Sequence, residues 1–471
     1  MSVLNALKWS FLGELASKAI QPVVFIILAR LLTPEDFGVM TAALMVIGFS
    51  QIFWEAGMGK AIIQRQSDLE SAANAAFWIN IVLGICIASM LYLFAKPIAR
   101  IFFQDERVIA VLRVMTLQVL LGALCSVQIA LLQKDMQFKK LFWVRFATVS
   151  LPGLASIPLA WYGFGFWALV AGTLSGQLVQ VLMLWWMSDW RPGVAIKQDV
   201  TTEMTKFGVW VGATGMMGWF YTWADSLVVG HYLGSQQLGL YRTGNQVVLL
   251  GYTLISMPFI QVFYSWLATK TKEQRLEALS NTVNGMAIVF IPLSILIYGQ
   301  SDWLAGLIFG GRWAGIDQVI AVMALSHGLS YLLIANGEIY KVEGNPQYET
   351  YPMIIGLFVF VPLYIISIQY GLYIFLISRL IVVFVFGFSI HSLFAMLKMN
   401  LPLFFYMRYA LLSVFVLTII FIIDLFFQGI CRNIMHFLIF LISILIIYMM
   451  NYDFYMLIFK RFIKNVYIKN I

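Results

Sequence analysis

The stretch Ile27–Met40, ILARLLTPEDFGVM, sets an arginine, a proline and two acids between two long apolar runs. Thr33 is a favoured helix N-cap, Pro34 suits the first helical position, and Glu35 and Asp36 meet the positive end of the helix that follows. TPEDFG therefore reads as a tight hairpin turn joining two apolar helices. Outward from it, similar apolar runs recur to the end of the 471-residue chain. Each approaches the ~20 residues that carry a helix across ~30 Å of hydrocarbon. With 61% hydrophobic and 11% charged residues, and a mean hydropathy of +0.87, the chain has too little polar surface to cover a soluble core of this size. The short alternating segments of a membrane barrel are absent. The expected fold is all-α and polytopic.

Fourteen candidate spans begin near Trp9, Gly38, Ala73, Val108, Leu141, Gly165, Thr205, Gly239, Glu277, Asp317, Thr350, Gly371, Leu401 and Asn433. The first loosely resembles a signal peptide, but Glu14 and Lys18 interrupt its apolar run and no small-residue cleavage site follows, so it reads as an uncleaved span. With the N-terminus in the cytoplasm, eighteen of the 30 Lys and Arg residues fall in cytoplasmic segments and five in outer loops. That bias places both termini inside. The net charge of +8 then reflects topology and anionic headgroups, not nucleic acid. The tail 451–471 places Phe454, Ile458, Phe462 and Val466 on one stripe and Arg461, Asn465 and Lys469 on another, as an interfacial amphipathic helix does. Cys86, Cys125 and Cys431 form no metal-spaced pair, and the four histidines are far apart, so no metal site is expected.

A second setting resembles the opening one. Shifted by 201 residues, ARLLTPEDFGVM lies over GHYLGSQQLGLY without a gap, with Arg30 on His231, Leu32 on Leu233 and Gly38 on Gly239. Few residues are identical, but turn length and apolar flanks repeat in register. The shift spans six helices, and an even number per unit gives a parallel repeat of the kind alternating-access transporters use. The expected organisation is an N-lobe at 1–187, a cytoplasmic linker at 188–204, a C-lobe at 205–397 and two extra spans at 398–450. Of 35 glycines only Gly429 lies beyond Gly387, and pairs such as Gly172/Gly176 and Gly208/Gly212 suit close helix contacts inside the lobes.

The stretch LARLLTPEDFGVM, followed by FWEAGMGKAIIQR at 53–65, resembles the Wzx-type polysaccharide flippases of the multidrug/oligosaccharidyl-lipid/polysaccharide exporter superfamily, and among them the colanic-acid-like transporters. The likeness is strongest over 1–150. It implies two six-helix lobes about a central cavity with two extra helices. It also implies transfer of a polyprenyl-pyrophosphate-linked oligosaccharide from the inner to the outer leaflet of the inner membrane, for surface polysaccharide biosynthesis. Polysaccharide polymerase machinery is the expected protein partner.

Embedded charges are costly and usually face a cavity or a partner. Glu14 and Lys18 are spaced i,i+4, with the helix-bending Pro22 four residues after Lys18, and read either as a moving charge pair or as a structural ion pair. Asp225 could hold a coupling proton or sodium ion, or pair with a cation on another helix. Trp219, Tyr221 and Trp223 could stack on sugar rings or serve as packing anchors. Lys18 and Arg30, with Arg242, are the expected pyrophosphate contacts, because guanidinium groups bind phosphate bidentately and stay charged. Glu14 and Asp225 are the expected ion-coupling residues. Cations outnumber embedded acids in the spans, which favours an anionic cargo over the cationic drugs of an antiporter, the alternative within the same superfamily. No nucleotide-binding loop, metalloprotease motif or nucleophile elbow appears, and the outer loops carry few acids for a polymerase or glycosyltransferase. The expectation is a transporter without a catalytic residue or cofactor, driven by ion or substrate gradients.

Overall fold

The computed structural model describes residues 20–452 apart from 56, 268, 346, 400–403 and 428, and among these every regular element is helical. Glu14, Lys18 and the tail beyond Tyr452 lie outside the described residues. The helices run α1 (Ile20–Leu31), α2 (Pro34–Glu55), α3 (Met58–Gln64), α4 (Leu69–Ile98, continued by a π turn at Ala99–Phe103), α5 (Arg107–Ala123), α6 (Ser126–Lys134), α7 (Phe138–Trp161) and α8 (Phe166–Met187). They continue as α9 (Gln198–Leu267), α10 (Lys272–Gly299), α11 (Ser301–Phe309), α12 (Ile316–Ser330), α13 (Ile334–Val342), α14 (Gln347–Ile368), α15 (Leu372–Ile381), α16 (Phe388–Met399), α17 (Phe404–Phe426) and α18 (Gly429–Met450). Among the described residues, eleven segments are long and apolar enough to cross a membrane. The difference from the fourteen expected sits at α1, of which only Ile20–Leu31 is described, and at α9. That helix folds back at Gly234 (φ 76°, ψ −177°) into two legs whose polar residues dilute their apolar runs. Large apolar side chains such as Leu93, Trp186 and Phe358 stand outward, as lipid-facing residues do.

Contacts divide the chain into two compact units, Met1–Thr243 with Ile308–Trp313, and Gly244–Leu307 with Ala314–Ile471. In the first, the opening stretch does more than turn. The Thr33 amide and hydroxyl donate to Asp36 Oδ2 at 2.9 and 2.7 Å, and the Asp36 amide donates back to Thr33 Oγ1 at 3.3 Å, a reciprocal cap on α2. Asp36 Oδ1 also accepts from the Phe166 amide at 2.8 Å, so one carboxylate holds the starts of α2 and α8 together. Gly165 permits this approach, since a Cβ there would stand 2.8 Å from that oxygen.

Glu35 pairs with Arg107 at 2.6 Å, Arg107 with Asp105 at 2.8 Å, and the Ser235 hydroxyl donates to Asp105 at 2.6 Å. Burial alone would raise the Asp105 carboxyl, but the bonds from Arg107 and Ser235 outweigh it and hold the group below its usual range. Beside this clasp α2 crosses the second leg of α9 almost backbone to backbone. A Cβ on Gly38 would lie 1.7 Å from the Ser235 carbonyl oxygen, and a Cβ on Gly239 would lie 1.7 Å from that of Pro34. The 201-residue shift carries Gly38 onto Gly239 and Pro34 onto Ser235, so the crossing is reciprocal.

Glycines also set the α7–α8 contact. Cβ atoms on Gly172 and Gly176 would stand 2.9 Å from Ser156 and 2.7 Å from Pro152. Pro152 lacks the amide that would bond the Thr148 carbonyl, and Gly176 packs over both. In the second unit, α10 meets α12 where Gly328 faces Ser294. Helix α17 is tied to α10 and α13 by side-chain hydrogen bonds: Asn284 Oδ1 accepts from Arg408 at 2.7 Å and Tyr409 at 2.5 Å, and Asn336 accepts from Tyr406 at 2.5 Å.

Candidate functional site

Within the first unit, one membrane-length segment is broken. Helix α5 stops at Ala123 and α6 starts at Ser126, with Leu124 and Cys125 between them. Such a break inside hydrocarbon needs partners for its backbone, and survives where it is buried in protein or lines a cavity. Here the Trp185 indole donates to the Leu124 carbonyl at 3.0 Å, and Asn80 donates to the Ser126 hydroxyl at 2.7 Å. Beside the break lies a cavity of about 160 Å³. It is lined by Gln51, Trp54 and Glu55 of α2, Gln118 and Gly122 of α5, Cys125 and Ser126 at the break, and Gln177 and Gln180 of α8.

The lining mixes these polar groups with apolar Ile47, Val119 and Ile129, and no Lys or Arg is among its residues. Gln51 donates to Glu55 at 2.9 Å. The Trp54 indole nitrogen and the Gln118 amide oxygen are buried with no hydrogen-bond partner. Such groups cost about 1–3 kcal/mol each when left unsatisfied. Gly122 exists to admit the Trp54 ring, whose edge would stand 2.8 Å from a Cβ there. Ile129 and Gln180 also line an adjoining cavity of about 390 Å³, walled by Gln133, Arg145 and Thr148 among apolar residues of α6 and α7. That volume falls in the ~300–1,000 Å³ range of small-molecule sites. Amide groups donate and accept at once, which suits the hydroxyls of a sugar ring, and an indole offers a face to its C–H side.

The residues expected from sequence are distributed differently. The Arg242 guanidinium lies 3.9 Å above the Trp223 ring, and Tyr241 donates to Asp225 at 2.5 Å. Both pairs close within the α9 hairpin. Asp225 also accepts from the Ser226 amide and hydroxyl. Trp219 packs at 4.8 Å on Phe49 of α2, and Tyr221 is exposed. Arg30 ends α1 and donates to the Ile308 carbonyl at 3.4 Å. None of these lines the two cavities. The glutamines escaped notice because they carry no charge; their signal was a set of carboxamides inside apolar spans, with Gln177 and Gln180 one helical turn apart.

Fold and cavity define a polytopic helical membrane protein with a carboxamide-lined interior. Residues 27–318 match the model of a family described as polysaccharide biosynthesis protein, and the chain belongs to that family. It is 26% identical to the succinoglycan biosynthesis transport protein ExoT of Rhizobium meliloti over 70% of this chain and 67% of that one. It is 24% identical to the teichuronic acid biosynthesis protein TuaB of Bacillus subtilis over 74% and 73%. Among solved structures it shares the fold of the lipid II flippase MurJ in an inward closed conformation, with TM-score 0.74 and 14% identity over 95% of this chain and 99% of that one.

Proposed function

We propose that this protein is a flippase that carries a polyprenyl-pyrophosphate-linked oligosaccharide from the cytoplasmic to the outer leaflet of the inner membrane, for surface polysaccharide biosynthesis. The observation that carries the reading is the carboxamide cavity at the broken α5–α6 segment, in a membrane protein of a polysaccharide biosynthesis family. A sugar crossing the membrane loses its water, and Gln51, Gln118, Gln177 and Gln180 with the Trp54 indole replace it. Arg145 in the adjoining cavity supplies a cation for the diphosphate, a role also open to Lys18, Arg30 and Arg242. Transport without catalysis is supported by the relative named a transport protein and by the fold shared with a lipid II flippase. Lobes at 1–187 and 205–397 would alternate access, and the reciprocal Gly38–Gly239 crossing supports that symmetry. Asp225 and Glu14 are the proposed sites for a coupling proton or sodium ion, and a polysaccharide polymerase is the proposed partner at the outer face.

Binding of a water-soluble short-chain isoprenyl-pyrophosphate oligosaccharide tests the assignment by calorimetry in detergent. Wild type should bind it, and Gln177→Leu with Gln180→Leu should lose at least tenfold in affinity while still binding the isoprenyl pyrophosphate without sugar. Equal loss for both ligands would remove the sugar role from this cavity. Saturable binding of a cationic dye in its place would assign the protein as an antiporter.

A further inference from the structure

The second unit gathers a polar cluster that the transport reading leaves unused. It lies at the α17–α18 turn, where α10 ends. Asp424, near the end of α17, accepts a hydrogen bond from the Tyr298 hydroxyl of α10. Its other oxygen stands 3.2 Å from Nε2 of His436 on α18, which is only 3% exposed. Both imidazole nitrogens lack a partner in hydrogen-bond geometry, with Nδ1 set toward the backbone at Gly299. Gly299 is required there, because a Cβ would lie 2.6 Å from the Cβ of His436. The Tyr298 ring meets the imidazole edge-on at 5.6 Å. One turn earlier on α18, Arg432 pairs with Asp302 of α11, which is half-exposed and faces Asp317 of α12. Tyr373 of α15 faces Tyr298.

The groups around His436 are thus Tyr298, Asp424, Arg432, Asp302, Asp317 and Tyr373. Arg432 is committed to Asp302, so among the described residues the Asp424 carboxylate has only the His436 imidazole to bring it a positive charge. A buried imidazole with unsatisfied nitrogens beside a carboxylate is the place where a proton restores the balance. The exposed Asp302 connects the cluster to solvent through Arg432. Ionisable groups inside a spanning helix are costly to keep and mark ion or proton paths. We propose that His436 and Asp424 form a proton-binding site at the junction of α10, α17 and α18, distinct from Asp225, through which an outside proton acts on transport. The binding half stands on the geometry alone; the coupling half rests on the flippase reading.

Selective ¹⁵N-histidine labelling of the full chain in detergent tests the binding half, since imidazole nitrogen shifts report each protonation state. His436→Gln assigns the resonance. His436 should pass from the neutral to the protonated form as the solution is acidified over the range in which the protein stays folded. Asp424→Asn should lower its midpoint by about one unit or more, a tenfold loss in proton affinity, and Arg432→Gln should raise it. A His436 that stays neutral throughout, or a midpoint indifferent to both changes, overturns the site. The two variants act in opposite directions, so a general loss of structure would not mimic the result. In proteoliposomes, acid outside should accelerate glycolipid transfer by wild type and not by Asp424→Asn. Transfer that responds equally in both overturns the coupling half. Absence of wild-type transfer beside a normal titration overturns the flippase reading and leaves the proton site standing.

Discussion

Replacing Gly38 by alanine isolates the backbone crossing of α2 with the second leg of α9. The new methyl carbon would sit 1.7 Å from the Ser235 carbonyl oxygen. Carbon–oxygen contacts settle near ~3.3–3.6 Å, so the crossing must open by roughly 1.6–1.9 Å. Forcing a methyl into a close-packed contact costs about 1–3 kcal/mol. Gly239→Ala meets Pro34 in the same way at the same distance, and should cost as much. Because either change opens one shared crossing, the second adds little, and the double variant should fall short of the sum by about 0.5–3 kcal/mol. Gly218→Ala is the control, since nothing stands within 4 Å of its Cβ position; on a helix it should be neutral or stabilise by ~0.5–1 kcal/mol. Thermal unfolding of the four crossing proteins and the control, in one detergent, reads all of this. A Gly38→Ala protein that melts with the Gly218→Ala control, or a cycle that adds to within ~0.5 kcal/mol, would refute the crossing and its reciprocity.

Other consequences follow from the same unit. Asp36→Ala removes acceptors at two helix starts, and should destabilise by ~1–2 kcal/mol, with faster hydrogen exchange at Thr33 and Phe166 together. The lowered carboxyl of Asp105 contributes stability that is complete above the ordinary carboxylate value near 4 and is lost as pH falls through its native value. Exchange protection around residues 101–107 should therefore hold down to about pH 4 and then drop, and Asp105→Asn should abolish that dependence. Gly234→Ala must take a positive φ with extended ψ, a region essentially confined to glycine that costs other residues about 1–3 kcal/mol, so its melting temperature should fall where Gly218→Ala does not.

Much of the fold was legible because a membrane leaves so few solutions. Apolar run length alone predicts spanning helices, and Thr33, Pro34 and Asp36 predict the cap that forms. Gly172 and Gly176 are small where α7 comes close. What sequence did not reveal was the second duty of Asp36 on α8, 130 residues away, or the hydrogen bond of Asp225 to Tyr241. Those depend on how helices pack, which periodicity does not carry. The candidate site was harder still. Charge drew attention to Arg30 and Arg242, whereas the cavity is built from neutral carboxamides around a helix break at Leu124 and Cys125. Glu55 and Arg145 were visible as embedded charges, but nothing in their spacing said that they face one interior.

Leaflet transfer in sealed proteoliposomes tests the central claim most directly. Purified protein would be supplied with a polyprenyl-pyrophosphate oligosaccharide, an ordinary phospholipid and a cationic dye, and each would be followed across the bilayer. The account predicts selective transfer of the glycolipid, reduced at least tenfold by Gln177→Leu with Gln180→Leu in protein that still inserts and melts normally. Dye movement without glycolipid movement, or glycolipid transfer untouched by those two substitutions, would contradict it.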